Sequence, residues 1–574
     1  MELIKAIGNR LFWFMLKRRG AKSRKHLDAL SRSAVRTSEQ TLAKLLADNA
    51  DTEYGRKYDF AGIRDAEDYR KKVPLSNYHT YEPYIKRMIE NSEENLITRY
   101  PIRHYALTSG SSGAPKHIPV SQAGLDICAE NSTVLCIGVM DEFYRTTTGR
   151  SLKNGYCLNT IEAPLSETES GVPKGTISGT VLKPYKKLLR YFLTSPDEIL
   201  FPTQEMNMKY MKLRFALQER NVVCLVAPFM TAAVDLFTWL ESNWTIMCDD
   251  IENGQISPDI HISQELRRKL EAILTPNPKR AQELREEFQN GFKGIVPRIW
   301  PNFQWIGSIG TAGFTQYTLK MRHYTGKNVP YNYLEYSASE ALIAAERRMG
   351  ETAYVLVPDG GFFEFIPVDP EEQEEQETEP VTLTIDEIEQ GKDYEIVITN
   401  LSGFYRYRIG DIVRVTGFYN EAPALAFMYR KDQLISIAGE KTNDEALRWT
   451  IARFQEETGV EVNDYSIFAD TDTKPGRYVF LLEPDQDIPS ERLPTLRDNL
   501  EKNLSLANLS FGQKITTGVL GRSKLCIAEK ETYMLYRDLQ IMKGVSPNQL
   551  KPIRVIDTPE KRKFFFGLLE KESD

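Results

Sequence analysis

Cysteine and histidine are scarce in this 574-residue sequence, and neither residue type is clustered. No C-x-x-C pair occurs among the six cysteines, and the six histidines show no H-x₃-H or H-E-x-x-H spacing. These absences argue against a structural zinc site. Scattered cysteines without a secretory leader predict free thiols and a cytoplasmic location. The six are Cys128, Cys136, Cys157, Cys224, Cys248 and Cys526.

The sequence also lacks a long apolar run and an excess of basic charge. Its 73 Lys and Arg residues stand against 80 Asp and Glu residues, a net charge of −7, so nothing suggests a nucleic-acid partner. The apolar run Leu11–Leu16 is far below the ~18 residues that a membrane span requires, and the basic residues after it lie on the wrong side for a signal peptide. We therefore predict no transmembrane segment. We interpret the run as part of an amphipathic helix packed on the protein, with attachment to a membrane surface as the alternative.

A chain of this length exceeds one ordinary hydrophobic core and should divide into at least two domains. The apolar run Asn221–Pro228, bounded by polar and proline residues, is typical of a buried parallel strand, which predicts an α/β architecture. The segment Phe427–Gln433 breaks a strand pattern, and compact helix-and-strand alternation follows it. We place the domain boundary there, giving a large domain of residues 1–429 and a small domain of residues 430–574.

Helical spacing near the N-terminus covers about Lys5 to Leu46. Ser38 and Thr41, three residues apart, form a capping pattern that predicts the start of a second helical segment within this stretch.

The stretch Leu107-Thr-Ser-Gly-Ser-Ser-Gly-Ala-Pro-Lys116 combines glycines with short hydroxyl side chains. Glycines can adopt positive φ and let backbone N–H groups approach a polyphosphate, and the hydroxyls and Lys116 add donors. The lysine stands three residues after Gly113, and the flanks Ile102–Leu107 and His117–Val120 predict strands, so this is not a Walker loop. Any phosphate bound here would lie in a hairpin loop. The alternative is an ordinary Ser/Gly turn.

Two later segments each predict a strand that ends near residues suited to bind a flat ligand or a metal. Trp305–Gly313 predicts a buried strand that enters a glycine-rich turn, where backbone could meet a flat ligand. In Val329–Glu340, Tyr336 offers an aromatic face and Glu340 a carboxylate, a combination that suits a nucleotide with its metal. The alternatives are a tight strand-to-helix turn in the first segment, and a core tyrosine with a helix-capping glutamate in the second.

A third segment, Phe404–Asp411, predicts a strand that ends in a turn. Its tyrosines Tyr405 and Tyr407 alternate with arginines Arg406 and Arg408, so each kind shares one face. Asp411 falls at a Gly-Asp turn in this pattern. Its carboxylate could accept both hydroxyls of a ribose, or it could be an ordinary turn residue.

Three of these segments occur in the order found in adenylate-forming enzymes: Thr108–Lys116, Tyr336–Glu340 and Tyr405–Asp411. Within that superfamily the chain most resembles the Gretchen Hagen acyl acid amido synthetases, the auxin-responsive promoter family. The likeness spans roughly Val73 to Arg554. It is closest in Val73–Met88, Phe404–Asp411, Ile437–Glu445 and Asn548–Arg554.

This resemblance implies a large N-terminal α/β domain, with mixed sheets and a barrel-like subdomain, and a small mobile α/β domain over the active site. It also implies a ligase that uses ATP and Mg²⁺ to convert a carboxylic acid to an acyl-adenylate, which the amine of an amino acid then attacks. The chemistry agrees, because linkage to AMP replaces oxide with a stabilised phosphate leaving group when cations offset the developing charge. Such a site needs no Ser-His-Asp triad, and none is apparent.

The resemblance also assigns roles to individual residues. Phosphates would be held by Ser109, Ser111, Ser112 and Gly113. The other ATP-binding residues would be Gly310, Thr311, Tyr336, Ser339, Asp411 and Arg430, with Asp411 at the ribose. Glu340 would bind Mg²⁺ and, with Lys441 and Lys551, form the catalytic set. A hinge at Arg430–Asp432 would let Lys551 approach the phosphates and withdraw.

Two other functions use the same motifs or the same fold. An acyl-coenzyme A ligase would adenylate an acid but pass the acyl group to a thiol, and a nucleotide-binding scaffold would form no adenylate. The segment Asn131–Val181, which would contact the acid, does not resemble plant sequences closely, so we expect a bacterial-type member. The sequence identifies neither the acid nor the amino acid.

Overall fold

The structure is a computed structural model in which the described residues are 2–108, 116–162, 166–175, 177–311, 314–368, 379–431, 435–438, 440, 442–543, 545 and 550–573. Five predicted site residues lie outside these ranges: Ser109, Ser111, Ser112, Gly113 and Lys441.

The described residues form two classes of regular element. The helices are α1 (Glu2–Ser31), α2 (Ala34–Asn49), α3 (Glu53–Lys57), α4 (Ala66–Lys72), α5 (Tyr78–Glu90), α6 (Gln122–Ala129), α7 (Leu135–Thr148), α8 (Ile177–Leu182), α9 (Lys186–Leu189), α10 (Asp197–Leu200), α11 (Met208–Gln218), α12 (Met230–Asn253), α13 (Gln264–Glu271), α14 (Pro278–Gln289), α15 (Ile295–Ile299), α16 (Thr315–Thr325), α17 (Asp444–Thr458), α18 (Leu493–Ala507), α19 (Leu509–Thr516), α20 (Thr532–Met542) and α21 (Pro559–Phe566). The strands are β1 (Ile102–Thr108), β2 (Lys116–Ser121), β3 (Tyr156–Asn159), β4 (Ser166–Glu167), β5 (Pro173–Gly175), β6 (Val222–Phe229), β7 (Trp305–Ile309), β8 (Tyr331–Asn332), β9 (Glu335–Ser337), β10 (Leu342–Ala345), β11 (Tyr354–Leu356), β12 (Gly361–Pro367), β13 (Asp393–Asn400), β14 (Tyr407–Tyr419), β15 (Ala422–Arg430), β16 (Val462–Asp470), β17 (Arg477–Pro484), β18 (Lys524–Ala528) and β19 (Leu569–Glu572).

A parallel sheet of order β3-β6-β7-β8 lies in the large domain. Strand β6 is buried and lies between β3 and β7, as its uninterrupted apolar sequence predicts. Helices α11, α12 and α16 contribute apolar side chains to the core around this sheet. Because all four strands run in one direction, their carboxyl ends meet at one edge, and Gly310 follows β7 there.

The largest sheet is antiparallel throughout, with the order β12-β13-β14-β15-β11-β10-β9. It contains three of the predicted site residues: Tyr336, Asp411 and Arg430. The barrel-like subdomain that the resemblance implies stays a prediction. A third sheet, of order β2-β1-β5-β4, contains the antiparallel pair β1–β2. The predicted hairpin strands around the Ser/Gly stretch are therefore confirmed, and the loop between them lies outside the described residues.

The small domain contains the fourth sheet, of order β16-β17-β18-β19. Its own buried core includes Phe454, Tyr478, Leu500 and Phe511. The mixed α/β class expected for both parts of the chain is confirmed. The predicted boundary between residues 429 and 430 stays a prediction, and it falls at the end of β15.

Three local expectations from the sequence are wrong. The first helix runs on to Ser31 and the second begins at Ala34, so Ser38 is a buried residue within α2 and not a cap. In the predicted break Phe427–Gln433, strand β15 instead continues through Phe427–Arg430 in register with β14, while Asp432 and Gln433 lie outside the described residues. Asp411 is not in a turn but inside β14.

One helical stretch of the described residues, Gln122–Thr148, is long and apolar enough to cross a membrane by length and composition. It comprises α6, one π-helical turn at Glu130–Val134, and α7. Its residues Leu135 and Val139 pack in the core with strands of the largest sheet. A core helix meets the same criteria, so this stretch is weak evidence for a membrane span.

Candidate active site

A buried charge cluster joins three strands of the largest sheet. Tyr336 on β9 donates a 2.9 Å hydrogen bond from its hydroxyl to Oδ2 of Asp411 on β14. Arg430 on β15 donates from Nε to Oδ1 of the same carboxylate at 2.6 Å. Asp411 is only 4% exposed. The sheet therefore fixes one carboxylate between an aromatic hydroxyl and a guanidinium.

The position of Asp411 follows from strand register and from a bulge. Asp411 lies opposite Arg430 in the β14–β15 ladder, which brings their side chains together. The preceding residue, Gly410, has φ +78°, and the β13–β14 register shifts beside it between Glu395 and Val397. A glycine with positive φ is the usual residue of one class of β-bulge. The Gly-Asp pair that suggested a turn is thus a bulge within a continuous strand.

The predicted alternation around Tyr405 is also only partly confirmed. Strand β14 begins at Tyr407, and Arg406 before it has φ +47°. Both Tyr405 and Arg406 are buried, and the guanidinium of Arg406 pairs with the buried carboxylate of Glu364 at 3.2 Å. The residue types predict a buried tyrosine face and an exposed arginine face. They do not reveal that Arg406 is buried in an ion pair.

Glu340 follows β9 in a bend, and its neighbours hold it in place. Its carboxylate is hydrogen-bonded to Tyr407, and its backbone carbonyl accepts from Nδ2 of Asn400 at 2.8 Å. Burial raises the pKa of Glu340, while the charge of Arg430 opposes the shift. A desolvated carboxylate close to a guanidinium is a suitable position for a cation shared with phosphate groups.

Lys551, from the small domain, faces the same cluster. Burial lowers the pKa of its ammonium group, Arg430 lowers it further, and the charges of Asp411 and Glu340 oppose both. The residue is exposed in the structure. The structure therefore brings a lysine of one domain to the charged residues of the other.

The cluster also affects the two groups that contact Asp411. The negative charge of Asp411 raises the pKa of Arg430, and burial raises the pKa of the Tyr336 hydroxyl, with Asp411 adding to the shift. The guanidinium is therefore charged and the phenol neutral at physiological pH. Both groups therefore present a hydrogen-bond donor to Asp411.

Gly310 and Thr311 lie at the carboxyl end of β7, near the tyrosine of the cluster. A Cβ at Gly310 would stand 2.5 Å from Oγ1 of Thr318 and 3.0 Å from the ring of Tyr333, so only glycine fits. Thr311 Oγ1 lies 3.1 Å from the hydroxyl of Tyr354, whose ring centroid is 6.4 Å from that of Tyr336. The last predicted ATP-binding residue, Ser339, is half-buried in the bend before Glu340.

Three residues near the site were not identified by sequence reasoning. Tyr407 bonds Glu340, Asn400 holds the Glu340 carbonyl, and Tyr354 connects Thr311 with the ring of Tyr336. In the sequence, Tyr407 is recognisable only as one of the tyrosines that share a face of the predicted strand. Asn400 gives a signal in the sequence, because it is a polar residue at the end of an apolar strand, where a side chain can contribute to a site.

Two further carboxylates with raised pKa values are Glu335, the first residue of β9, and Glu346, which follows β10. Glu335 is hydrogen-bonded to Ser132 and lies near Cys128, and burial raises its pKa to about 7. Glu346 accepts from the backbone N–H groups of Tyr333 and Gly350, and burial raises its pKa to about 8. Among the described residues, no basic group is close enough to lower either pKa against this effect of burial.

The two domains are joined by polar contacts beside the cleft. The Tyr317 hydroxyl on α16 donates to Asp464 on β16. Arg537 on α20 forms an ion pair with Asp235 on α12. The guanidinium of Arg537 also lies 5.5 Å from the ring centroid of Tyr317. These contacts hold the small domain in the orientation that presents Lys551.

Within the described residues, no group of three or more His, Cys, Asp or Glu side chains is arranged to hold a metal ion. A Mg²⁺ ion at Glu340 would therefore take most of its ligands from substrate and water, which is the usual behaviour of this ion in phosphate-transferring sites.

Comparison with known proteins relates the whole chain to one family. Family models described as the GH3 family N-terminal, central and C-terminal domains match residues 23–331, 354–430 and 445–560. Jasmonoyl–L-amino acid synthetase GH3.5 of Oryza sativa subsp. japonica is 30% identical over 569 residues, which cover 92% of this chain and 94% of that protein. Indole-3-acetic acid-amido synthetase GH3.3 of Arabidopsis thaliana is 29% identical, with 93% and 91% covered.

A solved structure agrees with these relatives. The structure titled GH3.15 acyl acid amido synthetase superposes with a TM-score of 0.83 at 25% identity, and the match covers 96% of each chain. The curated relatives named here are plant proteins, so they give no support to the expected bacterial-type member.

Proposed function

The chain belongs to the GH3 family, and from that membership and its charged cleft we propose that it joins a carboxylic acid to an amino acid through an acyl-adenylate. It is a ligase of the acyl acid amido synthetase type, and ATP supplies the adenylyl group. The observation that carries the proposal is the buried Tyr336–Asp411–Arg430 cluster beside Glu340, with Lys551 of the small domain near enough for these charges to act on its ammonium group.

We assign the nucleoside end of ATP to Asp411 and Tyr336. Each carboxylate oxygen of Asp411 already accepts one hydrogen bond, from Tyr336 or from Arg430. An ionised carboxylate has about four acceptor sites, so two remain for the hydroxyls of a ribose. The tyrosine and arginine would orient the carboxylate, and the Tyr336 ring would pack near the base.

We assign Mg²⁺ to Glu340. A single desolvated carboxylate, held by Tyr407, fits an ion that is normally bound through one or two carboxylates plus phosphate oxygens. The bound ion would neutralise phosphate charge during adenylation. Its positive charge would also favour the ionised form of Glu340, against the effect of burial.

The roles of the cations follow from their chemistry. Lys551 would place an ammonium, and Arg430 a guanidinium, where negative charge develops on the phosphate that accepts the acid oxygen. Phosphate binding by Ser109, Ser111, Ser112 and Gly113, and a role for Lys441, also remain part of the proposal. We further propose a cytoplasmic location, in keeping with six free cysteines, five of them buried.

The experiment is a mass-spectrometric screen of carboxylic acids against amino acids in the presence of ATP and Mg²⁺. The first acids to test are jasmonic acid, indole-3-acetic acid and 2,4-DB, because the relatives and a neighbouring structure carry these names. We expect an amide and AMP in equal amounts, both dependent on one acid and one amino acid. Acid-dependent pyrophosphate exchange without amino acid should report the first half-reaction.

Two outcomes would contradict the proposal. A thioester formed with coenzyme A, without an amide from any amino acid, would identify an acyl-coenzyme A ligase. Nucleotide binding without pyrophosphate exchange, for any acid in the screen, would favour a scaffold that retains the fold.

A further inference from the structure

Helix α1 has one face fixed against the body of the protein. Nδ2 of Asn9 and Nε1 of Trp13 both donate to the backbone carbonyl of Gly155, at 2.8 and 2.7 Å. Two turns after Trp13, Gly20 crosses α7 at Gly138, and a Cβ on either glycine would lie less than 3 Å from the backbone of the other helix. These contacts determine which side chains of α1 point outward.

The outward face begins with a patch of large apolar side chains. Ile7, Leu11, Phe14 and Met15 are exposed by 57%, 56%, 62% and 44%. Their spacing of three and four residues places them together on one side of the helix, over about 12 Å of its length. Four such side chains on one helical face are more than the scattered exposed apolar residues of an ordinary soluble surface.

The same face continues as a basic patch. Arg18, Lys22 and Lys25 follow the apolar residues at the same helical spacing, and all three are exposed. Residues 2–27 hold eight Lys and Arg against one Glu, a net charge of +7, whereas the whole chain carries −7. The helix is therefore a local reversal of the charge of the protein.

Neighbouring acidic side chains do not cancel this patch. Glu130 on the adjoining π turn pairs with Arg19, and Glu142 on α7 pairs with Arg24 and with Arg347. In the part of the chain that the structure describes, no ion pair is formed by the outward-facing basic residues. These are Lys5, Arg10, Arg18, Lys22 and Lys25.

We propose that the outward face of α1 docks on an anionic membrane surface. The apolar patch would enter the headgroup region while the basic patch contacts lipid phosphates, the arrangement of interfacial amphipathic helices. A second copy of this chain is a poorer occupant, because the same face of the second copy carries the same basic patch and offers it no opposite charge. The inference depends only on α1 and stands apart from the proposed function.

The test is sedimentation of the full chain with vesicles of phosphatidylcholine, or of equimolar phosphatidylcholine and phosphatidylserine. We expect binding to the anionic vesicles only, weakening as salt screens the basic patch. Leu11→Ser with Phe14→Ser should reduce binding by about ten- to a hundredfold. Lys22→Glu with Lys25→Glu should reduce it by about tenfold or more and leaves the apolar patch intact.

Matched controls come from exposed residues elsewhere. Leu506→Ser with Leu509→Ser removes two apolar side chains that are 58% and 73% exposed in the small domain. Lys279→Glu with Lys293→Glu makes the same charge change on the large domain. Both controls should bind anionic vesicles as the wild type does, and amide synthesis in solution should be unchanged in all variants.

Several results would overturn the inference. Failure to sediment with anionic vesicles, equal binding to phosphatidylcholine alone, or equal loss in the control variants would each exclude the proposed docking. Analytical ultracentrifugation gives a further test. If Leu11→Ser with Phe14→Ser turns a dimer into a monomer while vesicle binding persists, the face is a contact between copies of this chain.

Discussion

Glu335 and Glu340 are both desolvated carboxylates within six residues of sequence, yet they suit different roles. Burial raises the pKa of each. Glu340 has Arg430 close by to oppose the shift, whereas Glu335 has a hydroxyl, Ser132, as its partner. Arg430 thus partly offsets the effect of burial at Glu340, and a bound cation there would favour the ionised form.

Replacement of Glu340 by glutamine should remove the metal-dependent step while leaving the fold intact. We expect Glu340→Gln to slow acid-dependent pyrophosphate exchange by about 10²–10³, because a preorganised charge at the phosphates is lost. Exchange should be measured across a magnesium titration, with unfolding curves to confirm the fold. Glu335→Gln is the matched control and should retain its activity. Unchanged exchange in Glu340→Gln at every magnesium concentration would exclude the assignment.

Glu335 gives a prediction about stability and pH. Its pKa is about 7 in the folded chain, against an ordinary value of 4.5. Between these values the folded state binds more protons than the unfolded state, so its contribution to the free energy of unfolding falls as pH rises. Glutamine does not titrate. The free energy of unfolding of Glu335→Gln, relative to wild type, should therefore rise by about 1–3 kcal/mol between about pH 5 and about pH 8.

Urea unfolding at both pH values checks this expectation. Glu346 titrates in both proteins, so its contribution cancels in the comparison. A difference between variant and wild type that stays constant over the pH range would mean that Glu335 does not titrate there.

At the scale of the element, the bulge in β14 determines where Asp411 lies. Gly410 has φ +78°, and a Cβ there would meet no atom within 4 Å, so alanine would cost backbone strain without a clash. We expect Gly410→Ala to lower the free energy of unfolding by about 1–2 kcal/mol. It should also weaken ATP binding, because a flattened bulge would move Asp411 away from Arg430.

Gly417 lies in the same strand and provides the control. A Cβ at this position meets only the Gln390 side chain, at 3.8 Å or more. Gly417→Ala should leave nucleotide affinity unchanged in calorimetry. Equal nucleotide affinity in Gly410→Ala and wild type would show that the bulge does not position the binding residues.

Elements with one dominant signal could be predicted from the sequence. Strand β6 is predictable because a short uninterrupted apolar run with polar and proline boundaries is typical of a buried strand. The β1–β2 hairpin is predictable because two strand patterns flank one glycine-rich loop. The Gly-Asp bulge could not be predicted, because the same pair is typical of a turn and only strand pairing distinguishes the two. The helix break at Ser33 was misplaced because no strong capping pair marks it: its side chain makes no capping hydrogen bond.

In the candidate site, too, some features could be predicted from local sequence and others depend on strand pairing. The order of three motifs indicated Tyr336, Glu340 and Asp411 as site residues. The pairing of Asp411 with Arg430 depends on the register of β14 and β15, and local sequence does not contain that information. The hydrogen bond from Tyr407 to Glu340 was hidden because a tyrosine in an aromatic row has the same pattern whether it packs or binds.

At the scale of the whole molecule, the residues proposed for the site come from both domains: Lys551 from the small domain and the charge cluster from the large one. Tyr317 with Asp464, and Arg537 with Asp235, are polar contacts and not an extended apolar interface. Domain contacts of this kind are compatible with relative motion. In the structure Lys551 is near enough for the charges of Glu340, Asp411 and Arg430 to act on it, as the proposed adenylation would require.

Lys551→Ala tests whether this arrangement serves one half-reaction or both. If the ammonium offsets phosphate charge only during adenylation, its loss should slow acid-dependent pyrophosphate exchange by about 10²–10³. Conversion of a pre-formed acyl-adenylate to the amide should stay close to the wild-type rate, because the small domain would by then have withdrawn the lysine. Lys530→Ala, at an exposed lysine before α20, is the control and should affect neither step. Equal slowing of both half-reactions would mean that one domain arrangement serves the whole reaction, and a hinge near Arg430 would then have no role in catalysis.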